Sequence, residues 1–341
     1  MFAAGDFDTL VALRAKQGEI WALEAMRDEG GIQPLLQFDG TSDGQLRNVE
    51  KVARGLHALG RLIMVDAAEL PGPPTFGGED RGGLGALADL LSGSDELFGH
   101  QIPFVPVARG ELPARQLAWI GRLGNELGAG GAIRVGRDWA TPEDVDRIVG
   151  HLRLDVAQLD LIVDLQYLDF CSPQLVEWTL GTFAALRPLG PFRSMTILSG
   201  SVPSMLEQTS LWERPRFEED LWRAVVDGGA GEIRLGDYGV VHPGPGAQFP
   251  SKHVNLKYTC ADHWLFVRER MIDQVGRGPT LQIVCRDLVQ SGSFSGPQYS
   301  WGDGEIASAA TGGGKGLGST SKPVAIGTSH HLAYLASLNA A

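Results

Sequence analysis

Short apolar runs alternate with amphipathic stretches through the first two thirds of this chain. The β-rich runs are Leu10–Ala15, Ile32–Phe38, Leu62–Asp66, Phe104–Ala108, Ala132–Val135, Leu159–Leu165, Met195–Leu198 and Glu232–Leu235. Segments of helical period lie between most of them, at Glu19–Arg27, Gly44–Leu59, Gly85–Leu91 (after a Pro/Gly-rich loop, 71–83) and Pro113–Leu127. The rhythm is clearest over 131–187. There Thr141-Pro142-Glu143 supplies an N-cap, a proline at the first helical position and an acidic first turn. Leu159–Leu165, apolar at nearly every position, reads as a strand buried on both faces. Ser172-Pro173 opens the next helix in the same way, and Phe217–Val226 is the helix of a longer connection after the seventh strand. Eight strands alternating with helices predict a (β/α)8 TIM-barrel-like fold. A doubly wound open parallel sheet is the alternative, because alternation does not fix strand order.

Past residue 240 the rhythm stops. A Pro/Gly-rich loop, 242–250, leads to Val254–Thr259 and Trp264–Val267, which read as a hairpin or an appended pair of strands. Thr280–Val289 and 302–310 are helical in pattern, and Ser329–Leu338 reads as a closing amphipathic helix. The run TGGGKGLGSTSK at 311–322 is a flap or linker; no Ser or Thr follows Lys315, so it is not a Walker A loop. The expected organisation is a barrel over 1–240 and a C-terminal extension over 241–341 that packs on it within one globular unit.

Composition narrows the function classes. Of 341 residues, 43% are hydrophobic and 21% charged, as in ordinary globular chains, and the net charge is −12. That balance argues against general nucleic-acid or anionic-membrane binding. No stretch approaches the roughly 18 apolar residues of a membrane span, and MFAAGDFDTLVALRAK lacks a basic segment before its apolar part. Cys171, Cys260 and Cys285 form no C-x-x-C pair, which suits a reducing compartment and thiols used as core filler. A cytoplasmic location is the expectation.

Several segments, in order, carry a resemblance. They are KQGE at 16–19, PLLQF at 34–38, DLIVDL at 160–165, SGSVPS at 199–204, LGDYGV at 235–240, LKYT at 256–259 and WLFVRER at 264–270. YSWGDGEIASAATG at 299–312 and GTSHHLAYL at 327–335 complete the set. Together they resemble the beta protein family of bacteriophages and bacteria, over nearly the whole chain. The resemblance implies occurrence in phages and their hosts and no established reaction. Two positions depart from the pattern: Gln37 stands where a carboxylate is expected, and Lys322-Pro323 where an aromatic is expected before the HH helix.

In a barrel the C-terminal strand ends face a shared pocket, so position filters the candidates. Lys16, Asp66, Arg109, Arg134, Asp164, Ser199, Ser201, Asp237 and Tyr238 all fall at or near such ends, where unpaired polar groups are costly. Asp164 interrupts the strongest apolar run. It reads either as a general base or metal ligand, or as a salt-bridge partner of Lys16 or Arg134. Asp237 reads as a second proton-transfer group or as turn chemistry within Gly-Asp-Tyr-Gly. Lys16 suits an anchor for phosphate or carboxylate, whereas Glu19 simply favours a helix N-terminus. Lys257 and Tyr258 add a cation and a phenol to the rim, or belong to a strand of alternating exposure.

His330 and His331 point about 100° apart on a helix, so one ring lines the pocket while the other packs or is solvated. No metal is assigned to that pair; a divalent ion held by Asp164 and Asp237 is the minor alternative, and no cofactor is assigned. Asp303 reads first as a helix N-cap with Glu305 in the first turn, a site role being secondary, and Trp178, Phe183 and Leu186 as core. GSFSG at 292–296 has Phe294 where a serine nucleophile belongs. The candidate catalytic set is Asp164, Asp237 and Lys16; the candidate binding set is Arg134, Ser201, Tyr238, Lys257, Tyr258 and His330. Two functions remain open: acid–base or metal-assisted chemistry on a small anionic, phosphate- or nucleotide-like substrate, or a binding protein without turnover that recognises a protein partner in phage–host conflict.

Overall fold

The structure, a computed structural model, describes residues 4–26, 30–38, 43–68, 81–92, 101–206, 210–244, 251–271, 274 and 276–339. The loops expected at 71–83 and 242–250 lie largely outside these residues. The strands are β1 Thr9–Arg14, β2 Ile32–Gln37, β3 Met64–Asp66, β4 Val105–Arg109, β5 Gly131–Gly136, β6 Leu159–Tyr167, β7 Ser194–Gly200, β8 Ser210–Pro215, β9 Arg234–Asp237, β10 His253–Thr259 and β11 His263–Arg270. The helices are α1 Gln17–Ala25, α2 Asp43–Ala58, α3 Gly82–Leu91, α4 Ala114–Glu126, α5 Pro142–Leu152, α6 Pro173–Leu186, α7 Phe217–Asp227, α8 Arg277–Gln290, α9 Trp301–Ala310 and α10 Lys322–Asn339. Contacts group the chain into two compact units: residues 1–15, 33–199 and 218–237, and residues 16–32, 200–217 and 238–341.

The first unit holds a closed barrel of eight strands in the order β1 to β7, then β9. Parallel pairing of β9 with both β7 and β1 closes the ring, with Thr9 opposite Leu235 and Val11 opposite Asp237. The barrel reading therefore holds, and the open sheet is excluded. The eight strands are the eight apolar runs of the sequence, the last shifted by two residues. Each of β1 to β7 is buried along most or all of its length, as a sheet covered on both faces requires. The helix starts follow the expected chemistry. Thr141 Oγ1 accepts the Asp144 amide at 3.1 Å, and Ser172 Oγ accepts the Leu175 amide at 3.1 Å. In α6, Phe183 and Leu186 are fully buried.

The second unit holds a three-stranded antiparallel sheet in the order β10-β11-β8, with α1, α8, α9 and α10. The β10–β11 hairpin matches the expectation, with Leu256 opposite Val267 and Tyr258 opposite Leu265. The third strand, β8, was not foreseen. Its six residues are exposed or half-buried, so SLWERP shows no apolar period, and its pairing with β11 makes it a strand. There Trp212 stacks on Phe266 with ring centroids 4.2 Å apart.

The last helix also departs from expectation. It begins at Lys322 rather than Ser329, and eleven of its residues are buried around its circumference. Because α1, α9 and β10 pack against it, it is a core helix with no polar stripe. The connection 311–321 is irregular, and Leu317 within it packs into the core of this unit. No described helix is long and apolar enough to cross a membrane.

Candidate functional site

Every barrel strand carries a polar side chain at or near its C-terminal end. These are Arg14 on β1, Gln37 on β2, Asp66 on β3, Arg109 on β4, Arg134 on β5, Asp164 on β6, Ser199 on β7 and Asp237 on β9. All but Arg109 are buried. Polar groups taken out of water at this density must be paired.

Arg134 is the centre of the pairing. Its Nε and Nη2 donate to Asp164 Oδ2 at 3.0 and 2.8 Å, and its Nη1 donates to Asp66 Oδ2 at 2.7 Å and to Gln37 Oε1 at 3.1 Å. One guanidinium thus ties four strands together, using the planar fork that a lysine lacks. Arg109 grips Asp66 from the other side, with Nε 3.1 and 2.8 Å from the two carboxylate oxygens. Burial alone would push the Asp66 carboxyl up. The charges of Arg134 and Arg109, with hydrogen bonds from Arg109 and the Ala68 amide, outweigh it and hold the group below the usual carboxylate range. Gln37 supplies an amide oxygen where a carboxylate was expected, so it accepts from Arg134 without adding a negative charge.

Backbone geometry fixes the second carboxylate. Gln166 adopts a left-handed conformation (φ 54°), uncommon for a residue other than glycine, and its amide donates to Asp164 Oδ1 at 2.9 Å. Both oxygens of Asp164 are therefore engaged, one by Arg134 and one by the chain. Asp237 ends β9 and is buried. The hydroxyl of Ser199 is buried with no hydrogen-bond partner among the described residues. Arg14 is the residue of this ring that sequence reasoning missed. The signal was a basic residue closing the apolar run TLVAL, overlooked in favour of Lys16.

The remaining candidates belong to the second unit. Lys16 is exposed at the N-cap position of α1, without a side-chain cap bond. Ser201 accepts from Trp264 Nε1 at 3.1 Å, Lys257 Nζ donates to the Val240 carbonyl at 2.7 Å, and Tyr238 is buried. Tyr258 and His330 come together on Asp303, their rings stacked with centroids 3.6 Å apart. The Tyr258 hydroxyl donates to Asp303 Oδ1 at 2.7 Å and accepts the Ser295 amide at 2.9 Å. Burial and the Asp303 charge push its phenol well above the ordinary tyrosine range.

His330 places Nδ1 2.9 Å from Asp303 Oδ2 and Nε2 2.9 Å from the Thr259 carbonyl. Both ring nitrogens are thus engaged by protein oxygens. His331 is also buried, with Nδ1 2.7 Å from Thr259 Oγ1 and its ring stacked on Trp264. Asp303 is not the N-cap. Ser300 caps α9 by accepting the Asp303 amide at 3.1 Å, which leaves the Asp303 carboxylate inside the helix's first turn to serve Tyr258 and His330. Lys322, in the place of the expected aromatic, pairs with Glu305 at 2.6 Å and lies over the Trp301 ring.

Among the described residues, no group of three or more His, Cys, Asp or Glu side chains is arranged to hold a metal ion. The thiols are poor nucleophiles. Burial pushes Cys285 up to about 12 and Cys260 up to about 11, and it raises Cys171 as well.

The Beta protein family model matches residues 11–337, and the chain belongs to that family. Among solved structures, a variant of NCR from Zymomonas mobilis is similar at 12% identity and a TM-score of 0.30, covering 69% of this chain and 79% of the other. PhdJ bound to a substrate intermediate is similar at 10% identity and a TM-score of 0.28, covering 99% and 98%. No curated protein matches.

Proposed function

We propose that this Beta protein family member binds a small anionic ligand at the C-terminal end of its barrel, and that Arg134, Asp66 and Asp164 form the fixed floor of the site. The observation that carries the reading is Ser199. Its buried hydroxyl has no partner among the described residues, in a ring of strand ends whose carboxylates are otherwise engaged. A phosphate or carboxylate oxygen would accept from it, and Arg109, partly exposed at the end of β4 on the same barrel rim, supplies the cation.

This reading makes Asp164 a positioning group rather than a base. A carboxylate whose two oxygens are held by a guanidinium and a backbone amide is fixed in place, with most of its accepting capacity already used. A second reading, recognition of a protein partner without turnover, draws on Phe170, 61% exposed in the segment after β6.

Isothermal titration with inorganic phosphate, citrate and mononucleotides tests the first reading. Binding that Arg109→Gln and Ser199→Ala each weaken by about tenfold supports it, that being the scale of one charge-assisted or buried hydrogen bond. Absence of any heat with all three ligands favours the partner.

A further inference from the structure

The opposite ends of the barrel strands, where β7 and β9 begin, carry a cleft of about 340 Å³ that none of the strand-end chemistry above uses. Its walls include Arg187, Arg193 and Arg234, with Glu232 at the rim and Phe192 and Met195 as an apolar side. The three arginines differ in what holds them. Arg193 is spent: its Nε and Nη2 bind Asp160 at 3.1 and 2.6 Å, and its Nη1 donates to the Ala129 carbonyl at 2.8 Å.

Arg234 and Arg187 are pinned by neutral groups instead. Arg234 Nη1 donates to the Gly5 carbonyl at 2.6 Å while its guanidinium lies 4.3 Å from the centre of the Phe7 ring. Arg187 donates to the Ala230 carbonyl. Among the described residues, neither has a carboxylate within ion-pair distance.

The chain makes room for Arg187. A side chain at Gly231 would place its Cβ 2.6 Å from Arg187 Nη2, and Gly231 also takes a left-handed φ of 77°. Two guanidiniums are thus held in place, each by some of its donors, and left without a counter-ion among the described residues, in a concave site of a chain whose net charge is −12.

We propose that this cleft binds a small organic anion, a phosphate monoester or a carboxylate. Arg187 and Arg234 take the charged group, and Phe192 and Met195 pack against its carbon part. The volume lies in the range of small-molecule sites. Glu232 limits the charge that the cleft accepts and sets its selectivity against larger polyanions. The site is independent of the one at the C-terminal strand ends.

The test is isothermal titration of the full chain with phenyl phosphate at low salt. One binding event is expected to weaken by about tenfold or more in Arg187→Gln, whose side chain is exposed, and to persist unchanged in Arg109→Gln. Glu232→Gln is expected to tighten the same event several-fold, a gain that misfolding cannot produce. If the C-terminal site fails, a single event still remains and still depends on Arg187. Binding that neither Arg187→Gln nor Glu232→Gln changes, or no binding at millimolar phenyl phosphate, overturns the proposal.

Discussion

Arg134 holds Asp164 through two hydrogen bonds to one oxygen, Oδ2, at 3.0 and 2.8 Å, in a setting where both side chains are more than nine-tenths buried. The pair joins β5 to β6, and the same guanidinium reaches β2 and β3. Removing one member of such a pair leaves the other charged and dry.

Asp164→Asn is therefore expected to cost about 3 kcal/mol, the range in which a buried pair broken on one side falls. Arg134→Lys should cost a similar amount, because an ammonium cannot span Asp164, Asp66 and Gln37 together. Urea unfolding of the two variants against the parent measures both. A loss below about 1 kcal/mol, typical of exposed pairs, would show that the network is solvated.

Asp66 gives the barrel an acid limb. Its folded pKa lies below the unfolded value, which is near ~3.9. A depressed carboxylate contributes stability that is complete above the unfolded pKa and is lost as pH falls through the folded one. The parent's advantage over Asp66→Asn should thus be constant from about pH 7 to 5 and shrink below about pH 4. Denaturant melts at pH 7, 5 and 3 decide it. An equal advantage at all three would mean that Asp66 is not the ionised partner of Arg134 and Arg109.

How much of this was legible depended on where the residues sit. The barrel was readable because strands buried on both faces are written as apolar runs, and LDLIVDL could hardly be anything else. The charges within those runs, Arg134 and Asp164, stood out for the same reason. Their pairing was left open, since sequence carries no distance between β5 and β6 side chains. Arg14 was passed over because Lys16, two residues on, was taken as the cation that ends the first strand. β8 was invisible: an edge strand exposed on most positions has no period, and only β11 defines it. Asp303 was taken for a cap because capping depends on backbone angles two or three residues away, and Ser300 had the stronger geometry.

Tyr258 joins Asp303 and the Ser295 amide through one hydroxyl. Tyr258→Phe keeps the ring stacked on His330 but removes the hydroxyl from Asp303 Oδ1 and the Ser295 amide, and should cost about 1–3 kcal/mol. The same hydroxyl should stay protonated in the folded protein at alkaline pH, since burial and the Asp303 charge both oppose the phenolate. The absorbance near 295 nm of parent and Tyr258→Phe should therefore rise in parallel with pH until unfolding begins. A transition present only in the parent, within the native range, would show that the hydroxyl is open to water.

Two glycines of α9, two residues apart in the WGDGE segment and so on different faces of the helix, separate packing from propensity. A Cβ at Gly302 would lie 2.1 Å from the Ile326 carbonyl oxygen on α10, a backbone atom that cannot swing away. A Cβ at Gly304 would meet only the Pro297 carbonyl, at 3.3 Å. Gly302→Ala should force α9 and α10 apart and cost about 2 kcal/mol or more, on the scale of an overpacked core. Gly304→Ala should be near neutral, since the gain in helix propensity of up to about 1 kcal/mol opposes a mild contact. Melting temperatures of the two variants check the pair. A Gly302→Ala protein as stable as Gly304→Ala would show that the helices are not packed backbone to backbone at this point.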